Sequence, residues 1–455
     1  MHTIRTIITL LLPLSCPSVE AQSVVSLQQL YDMADHQSQQ LKVSNTALLA
    51  AREAEASAAG ASLPEVNVSL SGSYAGDVTL MTRGFSTSGT TPVILAGLGP
   101  QQVANGRQSV PHWGNSFSLQ ATQVVYAGGA ISASRDMARL NRRQAELSVE
   151  QSRQDMRFIV TSQYLDLCLV YNQMEVVERN IDLTRKLLQN MQTRYEQGVV
   201  LKTDITRYEL QLENLNLTIR QLRDAARVTS HTLATTLHIT TDTELHPDTA
   251  EVNRSIQTLD TLSSLRHWLW QAQGQNLNLR AADLSTEQAL TSVKLAKAAT
   301  RPSVAIVAED HLFGPYTNDL IPVDANVNTW FVGIGVKYRL SNLWTDRHKV
   351  KRSMIEAQLT RENSTLAHES VENAMMASHT NYVTAFTNVR TQEKQVQLAE
   401  ENYTTTLNRY QNGLALLVDM LDASNTLLSA HTALADARIN LLFCYYKMKY
   451  TACQL

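Results

Sequence analysis

Asp419 and Asp422 stand three residues apart in a long stretch without glycine or proline. On a helix this spacing puts both carboxylates on one face. Repeated around an axis by several copies, the pair makes two stacked acidic rings, the device by which pores select cations and attract basic solutes. A plainer role competes for the first of them, because an acid in the opening turn of a helix caps backbone N–H groups and complements the dipole. No enzymatic chemistry competes. The chain has no His-Glu-x-x-His, no Gly-x-Ser-x-Gly and no phosphate-cradling glycine loop. His348, His368 and His379 fall on a polar helical stretch and read as solvated, while Met375 and Met376 read as core packing rather than a metal site. No cofactor or metal is expected.

The acidic pair belongs to a repeat, which sets the architecture. Arg194-Tyr195-x-x-Gly198-x-x-Leu201-x-x-Asp204 returns 215 residues later as Arg409-Tyr410-x-x-Gly413-x-x-Leu416-x-x-Asp419. Neither Gly nor Pro occurs between Gly129 and Gly198, or between Gly335 and Gly413. About 70 helical residues would span roughly 100 Å, so these helices must pack along one another as a bundle. Each near-copy is then the bend of a long hairpin. Gly198 and Gly413 end one helix in the left-handed conformation, and Asp204 and Asp419 begin the next.

Ahead of each hairpin the apolar period changes to two. Val66, Val68, Leu70, Gly72 and Tyr74 alternate with Asn67, Ser69, Ser71 and Ser73, and Trp113, Asn115, Phe117, Leu119 and Ala121 alternate with Ser116, Ser118, Gln120 and Thr122. A Gly/Thr/Ser-rich loop separates them, from about Asp77 to His112. In the second half Val304, Ile306 and Ala308 open a third strand, and Trp330, Val332, Ile334, Val336 and Tyr338 mark a fourth. Helices are expected from Ser26 to Gly60 and from Leu262 to Ala299, with an irregular connector between the halves.

Arg5, the apolar run Ile7–Leu14 and Val19-Glu20-Ala21 read as a secretory signal cleaved after Ala21, with lipidation at Cys16 as the other option. This divides the chain into a signal peptide (1–21), a first repeat (22–240), a connector (241–262) and a second repeat (263–455). Cys168, Cys444 and Cys453 then remain, too few and too widely spaced for a disulfide framework or a metal cluster. The formal net charge of -3 gives no case for nucleic acid. No later run of about 18 apolar residues exists, so entry into a membrane would have to be by β-strands.

Short strands with one apolar face, one Ser-rich face and flanking Trp113 and Trp330 suit an outer-membrane barrel. Four strands cannot close one, since about eight are needed, and an open edge in lipid costs several kcal/mol per unpaired group. Three copies would supply twelve strands, with the hairpins continuing as a helical tube. The expected fold is therefore mixed α+β and mostly α, its four strands per chain contributing to a trimeric barrel.

At this point the residues resemble a known family. DMLDASNTLLSAHTALADARINLL from Asp419 resembles the C-terminal hairpin of the TolC-type outer-membrane efflux family, and LKTDITRYELQ from Leu201 resembles its first-repeat counterpart. The resemblance implies a homotrimer in outer-membrane lipid, extending into the periplasm. It also implies an exit duct for drug efflux or type I secretion, coupled to an inner-membrane RND or ABC transporter by a periplasmic adaptor (membrane fusion) protein at the tips. On that footing Gly198, Leu201, Gly413 and Leu416 contact the adaptor. Asp419 and Asp422 form the acidic rings of the aperture, and Thr203, Asp204 and Tyr410 hold it shut. One departure is that Ala415 stands where prominent members carry an arginine, which leaves Arg207, opposite Asp422 in the repeat, as a substitute.

Three rivals stay open. A periplasmic adaptor or surface scaffold would carry one hairpin rather than two, and a trimeric coiled-coil adhesin would show heptads and one barrel segment. Within the duct reading, metals or a polypeptide remain possible cargo.

Overall fold

The computed structural model describes residues 23–74, 76, 78–79, 93–95, 98–101, 107–108, 112–239, 244–259, 264–318, 321–323 and 325–455. The expected leader with Cys16, and most of the expected loop between Asp77 and His112, lie outside the described residues. In chain order the first half runs β1 (Ser23–Val25), α1 (Leu27–Gln37), α2 (Gln39–Gly60), β2 (Glu65–Tyr74), β3 (Trp113–Ala127), α3 (Ala130–Glu196) and α4 (Lys202–Thr236). Then come β4 (Leu245–Pro247) and α5 (Thr249–Gln257), followed by α6 (Leu265–Gln275), α7 (Leu277–Ala298), β5 (Ser303–Gly314), β6 (Val327–Lys337), α8 (Asn342–Thr345), α9 (Arg347–Gln411) and α10 (Leu417–Thr451). The chain forms two units. One holds residues up to Leu49, Arg143–Leu284 and Glu362–Leu455, and the other holds Ala50–Arg142 and Ser285–Arg361.

The second unit is built on one antiparallel sheet of order β6-β5-β3-β2. The period-two pattern fixes its register, because a slip of one residue would turn every apolar side chain to the other face. Val66, Ala121, Ala308 and Val332 therefore align in one row across all four strands, with Leu70, Phe117 and Leu312 in a parallel row. The opposite face is polar in β2 and β3, while β5 and β6 add Val307, Phe313 and Phe331 to it. Ser69, Ser118, His311 and Thr329 form one of its rows, with Ser69 Oγ 3.0 Å from Ser118 Oγ and Ser116 Oγ 3.0 Å from His311 Nε2. The alternation blurred in β5 is resolved by pairing, since Val304 and Ile306 face Val336 and Ile334 of β6.

Two details escape the alternation. An extra residue in β3 between Val124 and Tyr126 shifts the register, so Tyr126 pairs with Val304 and joins the apolar face. Asp310 lies on that apolar face between Leu119 and Trp330, and its Oδ1 is buried without a hydrogen-bond partner.

In the first unit, the helices expected as single elements from Ser26 and from Leu262 are each broken once. At Ser38 the backbone turns to φ -55, ψ 127, separating α1 from α2. At Asn276 it turns to φ -64, ψ 121, and the side-chain Oδ1 accepts from Asn278 N at 2.9 Å and Leu279 N at 3.2 Å, restarting the helix as α7. Ser38 and Asn276 are 238 residues apart, the same interval that separates Pro64 from Pro302. The breaks thus belong to the repeat. The connector is also more regular than expected. It pairs β4 with β1 in parallel and carries the nine-residue α5, whose N-cap Asp248 accepts from Glu251 N at 2.9 Å. So short a helix leaves little periodicity to read.

The two hairpins agree in detail. The returning helices α4 and α10 are each 35 residues long. Arg223 bonds Glu178 at 3.1 Å within the first hairpin, and Arg438 bonds Glu393 at 3.1 Å at the equivalent place in the second. Exposed pairs of this kind contribute little stability, but they fix the equivalence of the two hairpins 45 residues along the chain from one partner to the other.

Candidate functional site: the paired hairpin tips

Each tip is ended by the same backbone device. Gly198 N–H donates to Tyr195 C=O at 2.8 Å and Val199 N–H to Arg194 C=O at 3.0 Å. In the second copy Gly413 donates to Tyr410 C=O at 3.0 Å and Leu414 to Arg409 C=O at 2.7 Å. This is the six-to-one and five-to-two pattern of a Schellman cap, which needs a left-handed residue. Gly198 has φ 76 and Gly413 φ 74. Both chains then extend through Leu201 (φ -82, ψ 149) and Leu416 (φ -82, ψ 158) into the next helix.

The acids after the bend differ in their work. Asp419 Oδ2 accepts from Leu416 N at 3.0 Å, so it caps α10. Asp204 occupies the first turn of α4 and is half-buried. Thr203, Arg207 and Asp422 are exposed.

The first hairpin packs on the second through Leu187, Met191, Ile205 and Tyr208 against Leu417 and Met420, with Tyr403, Leu407 and Tyr410 half-buried at the edge. Burial raises the Tyr410 pKa, the Asp204 carboxylate raises it further, and the Arg194 guanidinium opposes them. Arg194 Nη2 also donates to Gln411 C=O at 3.0 Å, satisfying a terminal carbonyl of α9. Higher along the same seam, Gln211 Nε2 donates to Asn425 Oδ1 at 2.9 Å and Gln173 Nε2 to Asp436 Oδ1 at 2.7 Å.

Of the residues singled out in sequence, Asp204 acts electrostatically on Tyr410 across the two hairpins, whereas Asp419, which caps α10, and Asp422 lie on the exposed side of that helix. Arg207 and Asp422 are both exposed, and among the described residues no ion pair joins them. The cation at the tip contact is Arg194, visible in the repeat as its first residue but without a sequence signal for its partner. Leu201 and Leu416 are 69% and 72% exposed, which leaves large apolar side chains uncovered at both bends. Among the described residues no group of His, Cys, Asp and Glu is arranged to hold a metal, and no helix is long and apolar enough to cross a membrane.

Residues 268–442 match the family model "Outer membrane efflux protein". The outer membrane protein TolC of Salmonella enteritidis is 24% identical over 292 residues, covering 61% of this chain. The matched region spans 55% of that relative, about half its length. In fold, the chain superposes on CusC with a TM-score of 0.78 at 14% identity, covering 97% of this chain and 95% of the other. It superposes on the outer-membrane channel OprN with a TM-score of 0.73 at 16% identity, covering 94% and 90%. The second repeat thus carries the sequence pattern of the outer membrane efflux family, and the chain as a whole has the fold of TolC-type channels.

Proposed function

We propose that three copies of the chain form an outer-membrane exit duct that passively conducts substrates outward. The observation that carries this reading is the sheet. Its edge strands β2 and β6 are paired on one side only, one face is largely apolar, interrupted by Asp310, and the other is Ser-rich in β2 and β3. A lipid-facing sheet must close on itself to satisfy its backbone. Four alternating strands leave β2 and β6 antiparallel to each other, so β6 of one copy can pair with β2 of the next and keep the ladder antiparallel throughout.

In this reading the duct serves a tripartite efflux or type I secretion system. A periplasmic adaptor contacts the exposed apolar tips around Gly198, Leu201, Gly413 and Leu416, and links the duct to an inner-membrane RND or ABC transporter. Asp204 and Tyr410, with Thr203 beside them, restrain the closed aperture. Asp419 and Asp422 line it as acidic rings that favour cations. Drugs, metals and a secreted polypeptide are all compatible cargo.

Single-channel conductance in planar bilayers tests the proposal. The wild-type trimer is expected to be cation-selective, and Asp419→Ala/Asp422→Ala to lose most of that selectivity. Selectivity that ignores the double substitution would remove both acids from the lumen, and a folded trimer that never conducts would overturn the duct.

A further inference from the structure

At the foot of the sheet, where β3 passes into α3, lies a cleft of about 710 Å³. That volume suits a small molecule rather than a single ion. One wall is the first turns of α3, where Ser132, Arg135, Asp136 and Arg139 line the cleft. Their spacing of three, four and seven residues sets them on one helical face.

The charges on this wall are not consumed within the chain. Arg135 is exposed, and among the described residues it has no hydrogen bond or ion pair. Arg142 Nε holds Glu55 at 2.6 Å, whereas Arg139 Nε stands 3.8 Å from the same carboxylate, so Arg139 keeps donors to spare. Asp136 is half-buried beside them and is also unpaired among the described residues. Two guanidiniums and one carboxylate complement a group that carries both a phosphate and an ammonium.

The opposite wall belongs to β3 and continues into the apolar face of the sheet. The extra residue in β3 brings Tyr126 to that face beside Val304, and Gln123 lies next to Ile306 further along. Val125 is 60% exposed and Tyr126 43%. Tyrosine at the end of a membrane segment sits at head-group level. The cleft thus joins a charged wall at that depth to an apolar surface that acyl chains can follow.

We infer that the cleft binds the zwitterionic head group of a glycerophospholipid, one per copy of the chain. Arg135 and Arg139 hold its phosphate, Asp136 holds its ammonium, and its acyl chains run along the apolar face past Val304 and Ile306. Resting on the duct reading above, this places the lipid in the periplasmic leaflet, where barrel gives way to helical tube.

Native mass spectrometry of the detergent-purified trimer tests the inference. Delipidated protein is titrated with phosphatidylethanolamine, with phosphatidylglycerol of the same chains, or with inorganic phosphate. Wild type is expected to bind phosphatidylethanolamine in preference to phosphatidylglycerol. Arg135→Gln/Arg139→Gln should weaken both lipids by about tenfold or more, the effect of losing one charge-assisted bond. Asp136→Asn should abolish the preference while phosphatidylglycerol still binds, a change that loosened packing would not give. Equal binding by wild type and the arginine variant, a preference that Asp136→Asn does not move, or displacement of the lipid by inorganic phosphate overturns the site. Any of these from a trimer that still conducts in planar bilayers leaves the duct standing. A native mass below a trimer overturns the duct and the lipid site together.

Discussion

At the residue scale, two positive-φ glycines that look alike in sequence stand in different surroundings. A Cβ placed on Gly413 (φ 74) would meet nothing within 4 Å, so an alanine there suffers only the left-handed backbone, a cost of about 1–2 kcal/mol. A Cβ on Gly128 (φ 64) would come within 2.5 Å of Ala298 O and 2.8 Å of Arg301 Cβ. Backbone oxygen cannot step aside cheaply. Gly413→Ala is therefore expected to lower the thermal unfolding midpoint of the purified protein slightly, and Gly128→Ala to prevent accumulation of folded protein or lower the midpoint severalfold more. Comparable losses for the two would show that backbone conformation alone governs both. Sequence indicated that Gly413 ends a helix, because Arg409-Tyr410-x-x-Gly413 repeats an earlier motif. It gave no sign of the close approach at Gly128, which comes from a segment more than a hundred residues away.

At the element scale, the repeat was readable because its signals are local: glycine at each bend, a proline before each strand pair, and alternation within each strand. The breaks at Ser38 and Asn276 were not, because Ala-, Gln- and Leu-rich flanks favour helix on both sides. What fixes the second break is distant, as Asn276 Nδ2 donates to Thr451 C=O at 2.9 Å. Tyr126 was likewise unreadable in its facing, since one inserted residue in β3 reverses parity without changing composition. Burial of α3 has a consequence for stability. Cys168 is fully buried beside Tyr164, and desolvation pushes its thiol from 9.0 up to about 12. A group whose folded pKa exceeds its unfolded value contributes stability that is complete below the unfolded pKa and lost as pH rises through the folded one. Stability should hold up to about pH 9 and decline toward about pH 12, with buried tyrosines such as Tyr164 and Tyr446 adding to the decline higher up. Thermal midpoints measured across this window should fall less steeply in Cys168→Ala than in wild type. Equal slopes would assign the alkaline loss to the tyrosines alone.

At the scale of the whole molecule, the proposed duct would set the two faces of the sheet in different solvents, and this separates it from a soluble sandwich. Ile334 sits on the apolar face in register with Ile306, and it is 74% exposed within one chain. Ser118 sits on the polar face, bonded to Ser69. In a lipid-embedded barrel an arginine on the lipid face near the midplane costs about 2–4 kcal/mol, whereas the same change on the lumen face alters conduction. Ile334→Arg is expected to leave the chain in the periplasm or degraded, with little heat-stable trimer in outer-membrane fractions. Ser118→Arg should assemble normally and lower cation conductance by repulsion in the pore. In a soluble sandwich the faces would exchange roles, because apolar faces pack inside and polar ones meet water. Ser118→Arg would then be the tolerated, silent change, and Ile334→Arg would destroy a core in any compartment. The informative result is thus the conductance of Ser118→Arg: a change places the Ser-rich face on the ion path, and unchanged conductance from assembled trimers takes it off that path.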